Sequence, residues 1–123
     1  MMGTLKSILQ LFQQGLERIY SLLRHSNSYA SNIIIEGIRQ EVDPTLRDLE
    51  RQIQGNELEE FERLDENLLT DMAYFVRNHG ESWEMAMKAK LRQSPDLSAD
   101  FETELRHVGD LIERLGNVID RLP

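Results

Sequence analysis

From Phe101 to Leu122 the apolar residues Phe101, Leu105, Val108, Ile112, Leu115, Ile119 and Leu122 follow one another at spacings of 4, 3, 4, 3, 4 and 3. Three heptads of this kind draw one continuous apolar seam along an α-helix, and such a seam is buried by packing against neighbouring helices at a small crossing angle. The other end of the chain repeats the pattern, with Leu5, Leu9, Phe12, Leu16, Ile19 and Leu23 at spacings of 4, 3, 4, 3 and 4. Ile8, Leu11, Gly15 and Leu22 widen this second stripe to nearly half of the helix circumference, because successive residues turn by about 100°. A first helix over about residues 4–25 therefore faces more than one neighbour. Strand alternation is absent apart from the short run Ile33, Ile34, Ile35, so the expected fold class is all-α.

Between these seams the chain reads as further helices. Ser26, Asn27 and Ser28 supply capping side chains for a helix over about 28–54. Its stripe Ile35, Ile38, Val42, Leu46, Leu49, Ile53 keeps phase across Pro44. Phase retention favours one helix kinked at the proline over two helices with Asp43 as N-cap. Tyr29, Ala30, Ile33, Ile34 and Ile35 point in nearly every direction around the axis, so that end must be covered on all sides, by the core or by another chain. Asn56 and Glu59 resemble a capping box for a third helix over 57–79, with Leu58, Phe61, Leu64, Leu68, Leu69, Met72, Phe75 and Val76 as its buried face. Tyr74 falls on the polar side of that helix. A short helix over 82–93 carries Trp83, Met85 and Met87 with Lys88, Lys90 and Arg92, and the last helix occupies about 99–122. Gly109 and Gly116 flank its seam seven residues apart, which predicts a close neighbouring helix.

The four long segments span about 33 to 40 Å each at the helical rise, and short connections make sequential neighbours antiparallel. The expected architecture is a four-helix up-down-up-down bundle, 1–123 as one domain, with the 82–93 helix inserted before the last long one. A six-helix array, with Pro44 as a true break, is the alternative.

Charge narrows the partner classes. The net charge is −8, and residues 31–79 carry twelve acids against five cations. Nucleic-acid binding requires a basic face to neutralise phosphate, and the one basic cluster is Lys88, Lys90 and Arg92. Direct nucleic-acid binding is not expected. Nor is membrane insertion, because charges interrupt every apolar window before it reaches spanning length. The N-terminal segment lacks the unbroken apolar stretch of a secretion signal, so a cytoplasmic location is expected.

The search for chemistry is mostly subtractive. There is no cysteine, which removes thiolate metal sites, iron–sulfur clusters and cysteine nucleophiles. None of the twelve Ser and Thr residues sits in a nucleophile-elbow pattern, and no glycine-rich phosphate loop is present. Glu104 and His107 form one Glu-x-x-His pair where a di-metal carboxylate site uses two. His107 also lacks the Lys and Gly that follow a phosphotransfer histidine. Arg18 and His25 have the Arg-x6-His spacing used by HEPN-type ribonucleases, a spacing that fourteen basic residues produce readily by chance; a HEPN-like ribonuclease is the weakest reading. His25 and His79 both suit helix C-termini as residues that complement the dipole. No catalytic residue, cofactor site or metal site is assigned.

What remains is a protein that binds another protein. Candidate partner-binding residues are Tyr29, Ile33 and Ile34 on the all-round apolar segment, and Glu59, Glu60 and Glu62 on the acidic run. Tyr74 is a candidate exposed anchor, and Trp83, Met85 and Met87 are candidates on the short helix. The leading expectation is a self-associating adaptor or structural subunit, a homodimer. The alternative is an acidic inhibitor, of immunity-protein or antitoxin type, that blocks a basic enzyme.

Overall fold

The computed structural model describes residues 4–24, 36–53, 55–79, 85, 86, 89, 92, 93 and 98–122, with backbone alone at 4, 23 and 98–101. Every regular element among the described residues is helical, so the chain is an all-α helical bundle. Helix α1 is Thr4–Arg24, α2 is Asp43–Gln52, α3 is Asn56–Leu64, α4 is Leu68–Asn78 and α5 is Ser98–Arg121. A π-helical turn, Ile38–Val42, leads directly into α2. In the short segment before α5, residues 85, 86, 89, 92 and 93 are helical.

The apolar period of each helix becomes one shared core. Leu9, Phe12, Leu16 and Ile19 of α1 are fully buried, as are Val42, Leu49, Phe61, Leu68, Met72, Val108 and Leu115. Gln13 of α1 donates Nε2–H to the Ile112 carbonyl at 3.1 Å, and the Tyr20 ring lies beside Gly109. These pairs run in opposite orders along the two helices, so α1 and α5 are antiparallel. Gly116 also abuts Gln13, which is the close approach that the two glycines predict. On its other side α1 meets the second segment through Gly15 against Val42 and Ile19 against Gly37, again antiparallel. At Gly37 the contact is so tight that an added Cβ would sit 2.5 Å from Ile19 Cγ1.

The second segment continues through Pro44, and the widened turn shows how. Proline offers no N–H and its ring collides with the carbonyl four residues earlier. The helix answers by lengthening one turn to the π form, in which the Asp43 N–H reaches back five residues to the Ile38 carbonyl. The Thr45 hydroxyl donates to the Glu41 carbonyl at 2.8 Å and supports the same turn. The start of this segment, including Tyr29, Ile33 and Ile34, lies outside the described residues.

The third segment departs from expectation. The helix predicted over 57–79 is two helices, α3 and α4, separated by a turn at Asp65, Glu66 and Asn67. Asp65 has extended backbone, φ −153° and ψ 99°, and its carboxylate accepts the Asn67 N–H at 3.3 Å. Both of its oxygens also accept bonds from Arg114. A short acidic side chain that competes for local N–H groups is a helix breaker when a distant cation holds it in place. The apolar residues nevertheless stay inward, with Phe61, Leu68, Met72, Phe75 and Val76 buried. The capping box does not form either. Gly55, at φ +56°, occupies the N-cap position, and no side chain caps α3. Only glycine takes that backbone conformation without strain.

Candidate partner-binding surfaces

A shallow concavity among the described residues lies where α4 meets the end of α2. It is an open groove of about 580 Å³ lined by Glu50, Leu69, Thr70, Ala73, Tyr74, Arg77 and Asn78. Two adjacent i, i+4 rows of α4 build it, Leu69–Ala73–Arg77 and Thr70–Tyr74–Asn78, because residues four apart stack on one helix face. Leu69 and Ala73 are half-buried. Tyr74 is 68% exposed. Glu50 of α2 closes the far side through its 3.1 Å ion pair with Arg77. Tyr74 is thus an aromatic side chain on the polar face, as the helical phase predicts, and the groove beside it supplies an apolar floor.

The acidic residues divide into two populations. Glu57, Glu59, Glu60, Glu62 and Glu66 are exposed, and none has an ion-pair partner among the described residues. Glu57 and Glu59 sit in the first turn of α3, where the helix dipole favours negative charge. Asp65 and Asp71, by contrast, converge on Arg114 of α5. Arg114 donates to Asp65 at 2.9 Å from both Nε and Nη2, and to Asp71 at 2.7 Å from Nη1. Asp110, one turn back on α5, lies 3.8 Å from the same guanidinium. The hydrogen bonds from Arg114 hold the Asp65 carboxyl below the ordinary aspartate range, and those bonds hold the guanidinium charged ever more firmly.

Of the positions weighed for chemistry in the sequence, Arg18, His79 and Glu104 find internal partners. Arg18 pairs with Glu41, and His25 lies outside the described residues. Glu104 turns to His79, with Oε2 2.8 Å from the ring Nε2, whereas His107 is exposed. No group of three acidic or histidine side chains able to hold a metal ion occurs among the described residues.

The remaining predicted residues are described only in part. Met85 is 65% exposed, and Trp83 and Met87 lie outside the described residues. Glu59, Glu60 and Glu62 belong to α3, and none of them lines the groove beside Tyr74. On α1 the broad stripe narrows, because Ile8 is buried and Gly15 packs on Val42. Leu11 and Leu22 stay 56% and 49% exposed, and eleven residues of helix bring them to within about 20° of one another. Sequence reasoning missed Glu50, Leu69, Thr70, Ala73, Arg77 and Asn78 as groove residues. The two rows on α4 are visible in its spacing, but the closing residue Glu50 comes from another helix. No described helix is long and apolar enough to cross a membrane. No protein-family model, curated protein or solved structure matches the chain.

Proposed function

We propose that this protein is a non-enzymatic, cytoplasmic helical interaction module that works by self-association, as an adaptor or structural subunit. The observation that carries the reading is the set of large apolar side chains left outside the core of the described residues: Leu11 and Leu22 along one line of α1, and Tyr74 over the groove on α4. Isolated exposed apolar residues are ordinary, but two leucines aligned three turns apart form the seam of a helix–helix contact. A second copy of the chain is the partner that needs no further component.

Sedimentation equilibrium tests this. The expected result is a mass of twice 14.4 kDa at micromolar concentration, reduced to the monomer by Leu11→Glu combined with Leu22→Glu. A wild-type chain that stays monomeric overturns the reading. The exposed glutamates of α3, which no described cation neutralises, support a second reading in which this acidic face blocks a basic enzyme. Its complex would weaken steeply with salt and be lost on reversal of Glu59, Glu60 and Glu62 to lysine. A complex indifferent to salt counts against it.

A further inference from the structure

Helices α3 and α4 share one heptad seam although a turn separates them. Leu58, Phe61, Asp65, Leu68, Met72 and Phe75 follow one another at spacings of 3, 4, 3, 4 and 3, and Asp65 is the one charged member. Counted straight through the turn, the six positions would fall within an arc of about 100° on a single helix. The apolar members keep to that face in the fold: Phe61, Leu68, Met72 and Phe75 are buried, and Leu58 packs half-buried against the core. On an unbroken helix the Asp65 carboxylate would lie on the same line as Leu58 and Met72, seven residues to either side. A charge placed in that line loses its water, which is costly for an ionised carboxylate.

The turn takes Asp65 out of that line, and Asp65 itself supplies what the interrupted helix gives up. An unbroken helix sends the Asn67 and Leu68 N–H groups to the carbonyls of Arg63 and Leu64. Here the Asn67 N–H donates to the Asp65 carboxylate and the Leu68 N–H to the Asp65 carbonyl, both at 3.3 Å. The same carboxylate receives Nε–H and Nη2–H of Arg114 at 2.9 Å, while Nη1–H of that guanidinium reaches Asp71 at 2.7 Å. On one straight helix Asp65 and Asp71 would stand about 9 Å apart along the axis and about 120° apart around it, facing different ways. Their convergence on a single arginine therefore belongs to the bent form. At the far end of α3, Gly55 turns the chain at φ +56°, with nothing within 4 Å of the place a Cβ would take.

We propose that residues 56–78 carry the pattern of one continuous helix and that the charge of Asp65 locks them in the bent form, so that removing this carboxylate joins α3 and α4 into a single helix. The apolar seam is neutral between the two forms, because its phase is the same in both. Asp65 decides between them: its charge is excluded from the seam of the straight form and is seated on Arg114 in the bent one. The lock fixes the direction in which α3 presents Glu57, Glu59, Glu60 and Glu62. It goes beyond both readings of what the protein binds, since it concerns the aim of the acidic face and not its occupant.

The test is backbone NMR of the full chain, comparing wild type with Asp65→Leu and Asp65→Ala. In the wild type, helical Cα shifts are expected to stop at residues 65–67. In both variants they should run unbroken from 56 to 78, with Hα-to-amide NOEs between residues three apart crossing the former turn. Leucine completes the apolar seam, and alanine covers the case in which leucine is too bulky for its place. An interruption that persists at 65–67 in a folded variant overturns the proposal, because the bend is then held by packing elsewhere. A wild type already continuous through 65–67 overturns it too, as does loss of the fold in both variants, since an uncharged seam suits the straight helix.

Discussion

Helices α1 and α3 obey the same apolar period and sit very differently in the molecule. Over its 21 residues α1 buries Ile8, Leu9, Phe12, Leu16 and Ile19 and is gripped on two sides, by α5 and by the segment around Gly37 and Val42. Over its 9 residues α3 fully buries Phe61 alone and turns Glu57, Glu59, Glu60 and Glu62 to solvent. The difference teaches that amphipathic spacing tells which face of a helix turns inward, while the number of neighbours tells how much that face contributes. One helix is structural interior; the other is a charged surface held by Phe61, with Leu58 and Leu64 half-buried beside it.

The largest expected effect lies on the interior side. Phe12→Ala should lower unfolding free energy by about 3 to 5 kcal/mol, since removal of a fully buried ring adds a cavity to the lost transfer energy. Phe61→Ala should fall at the low end of that range, about 3 kcal/mol, because the short α3, with Leu58 and Leu64 already packed against the core, can settle inward. Urea denaturation of the two variants side by side checks this, and a larger loss for Phe61 would break the comparison. Next comes Gly37→Ala, at about 1 to 3 kcal/mol, where a Cβ forced against Ile19 overpacks the α1 contact. Its helical backbone, φ −61° and ψ −43°, is otherwise compatible with alanine, so a neutral or stabilising outcome in the same assay would mean that Ile19 repacks freely.

A smaller effect belongs to the tie that ends α3. Arg114→Gln should cost about 1 to 2 kcal/mol at neutral pH, discounted because the pair is partly solvated and the Asp71 arm is half exposed. Its signature is in pH. The Asp65 carboxyl is depressed in the folded state, so its stabilisation is fully present above the unfolded aspartate value of about 3.9 and is lost as pH falls through the lower folded value. Acid unfolding of the wild type should therefore show a sloping limb below about pH 4 that is flattened in Arg114→Gln. Equal slopes in both proteins would remove Asp65 from the account. Smallest of all is the combined reversal of Glu59, Glu60 and Glu62 to lysine, expected to leave stability within about 0.5 kcal/mol for each exposed site. Thermal melts check it, and a large loss would show that the α3 surface does structural work.

The buried faces of α1 and α5 were legible at Leu9, Phe12, Leu16, Ile19, Val108, Leu115, Ile119 and Leu122, all of which are buried. Ile112 of the predicted seam is only half-buried, and Leu111 and Val118 join the core instead. That shift follows from α5 facing α4 as well as α1, which rotates its buried stripe beyond a two-helix seam. Tyr74 was legible as exposed from the phase of α4, whereas the groove beside it was not, since Glu50 reaches it from α2. His79 was legible as a residue suited to a helix C-terminus, and it does bond the Phe75 carbonyl. Its bond to Glu104 could not be read, because the sequence offered Glu104 the nearer His107 at helical spacing.

By itself the sequence determined the helical class and the inward face of most helices, favoured passage of the chain through Pro44 over a break there, and called for a close but unspecified neighbour at Gly109 and Gly116. These follow from a 3.6-residue period and from steric rules that act within a few residues. Only the tertiary structure decided that the third segment breaks at Asp65, that His79 is a partner of Glu104, and that Arg114 gathers Asp65 and Asp71. Each of these joins residues far apart in the chain, across 49 positions for Asp65 and Arg114. Such pairings depend on the axial register and rotation of whole helices, which are set by packing of the entire core and leave no periodic trace in any one segment.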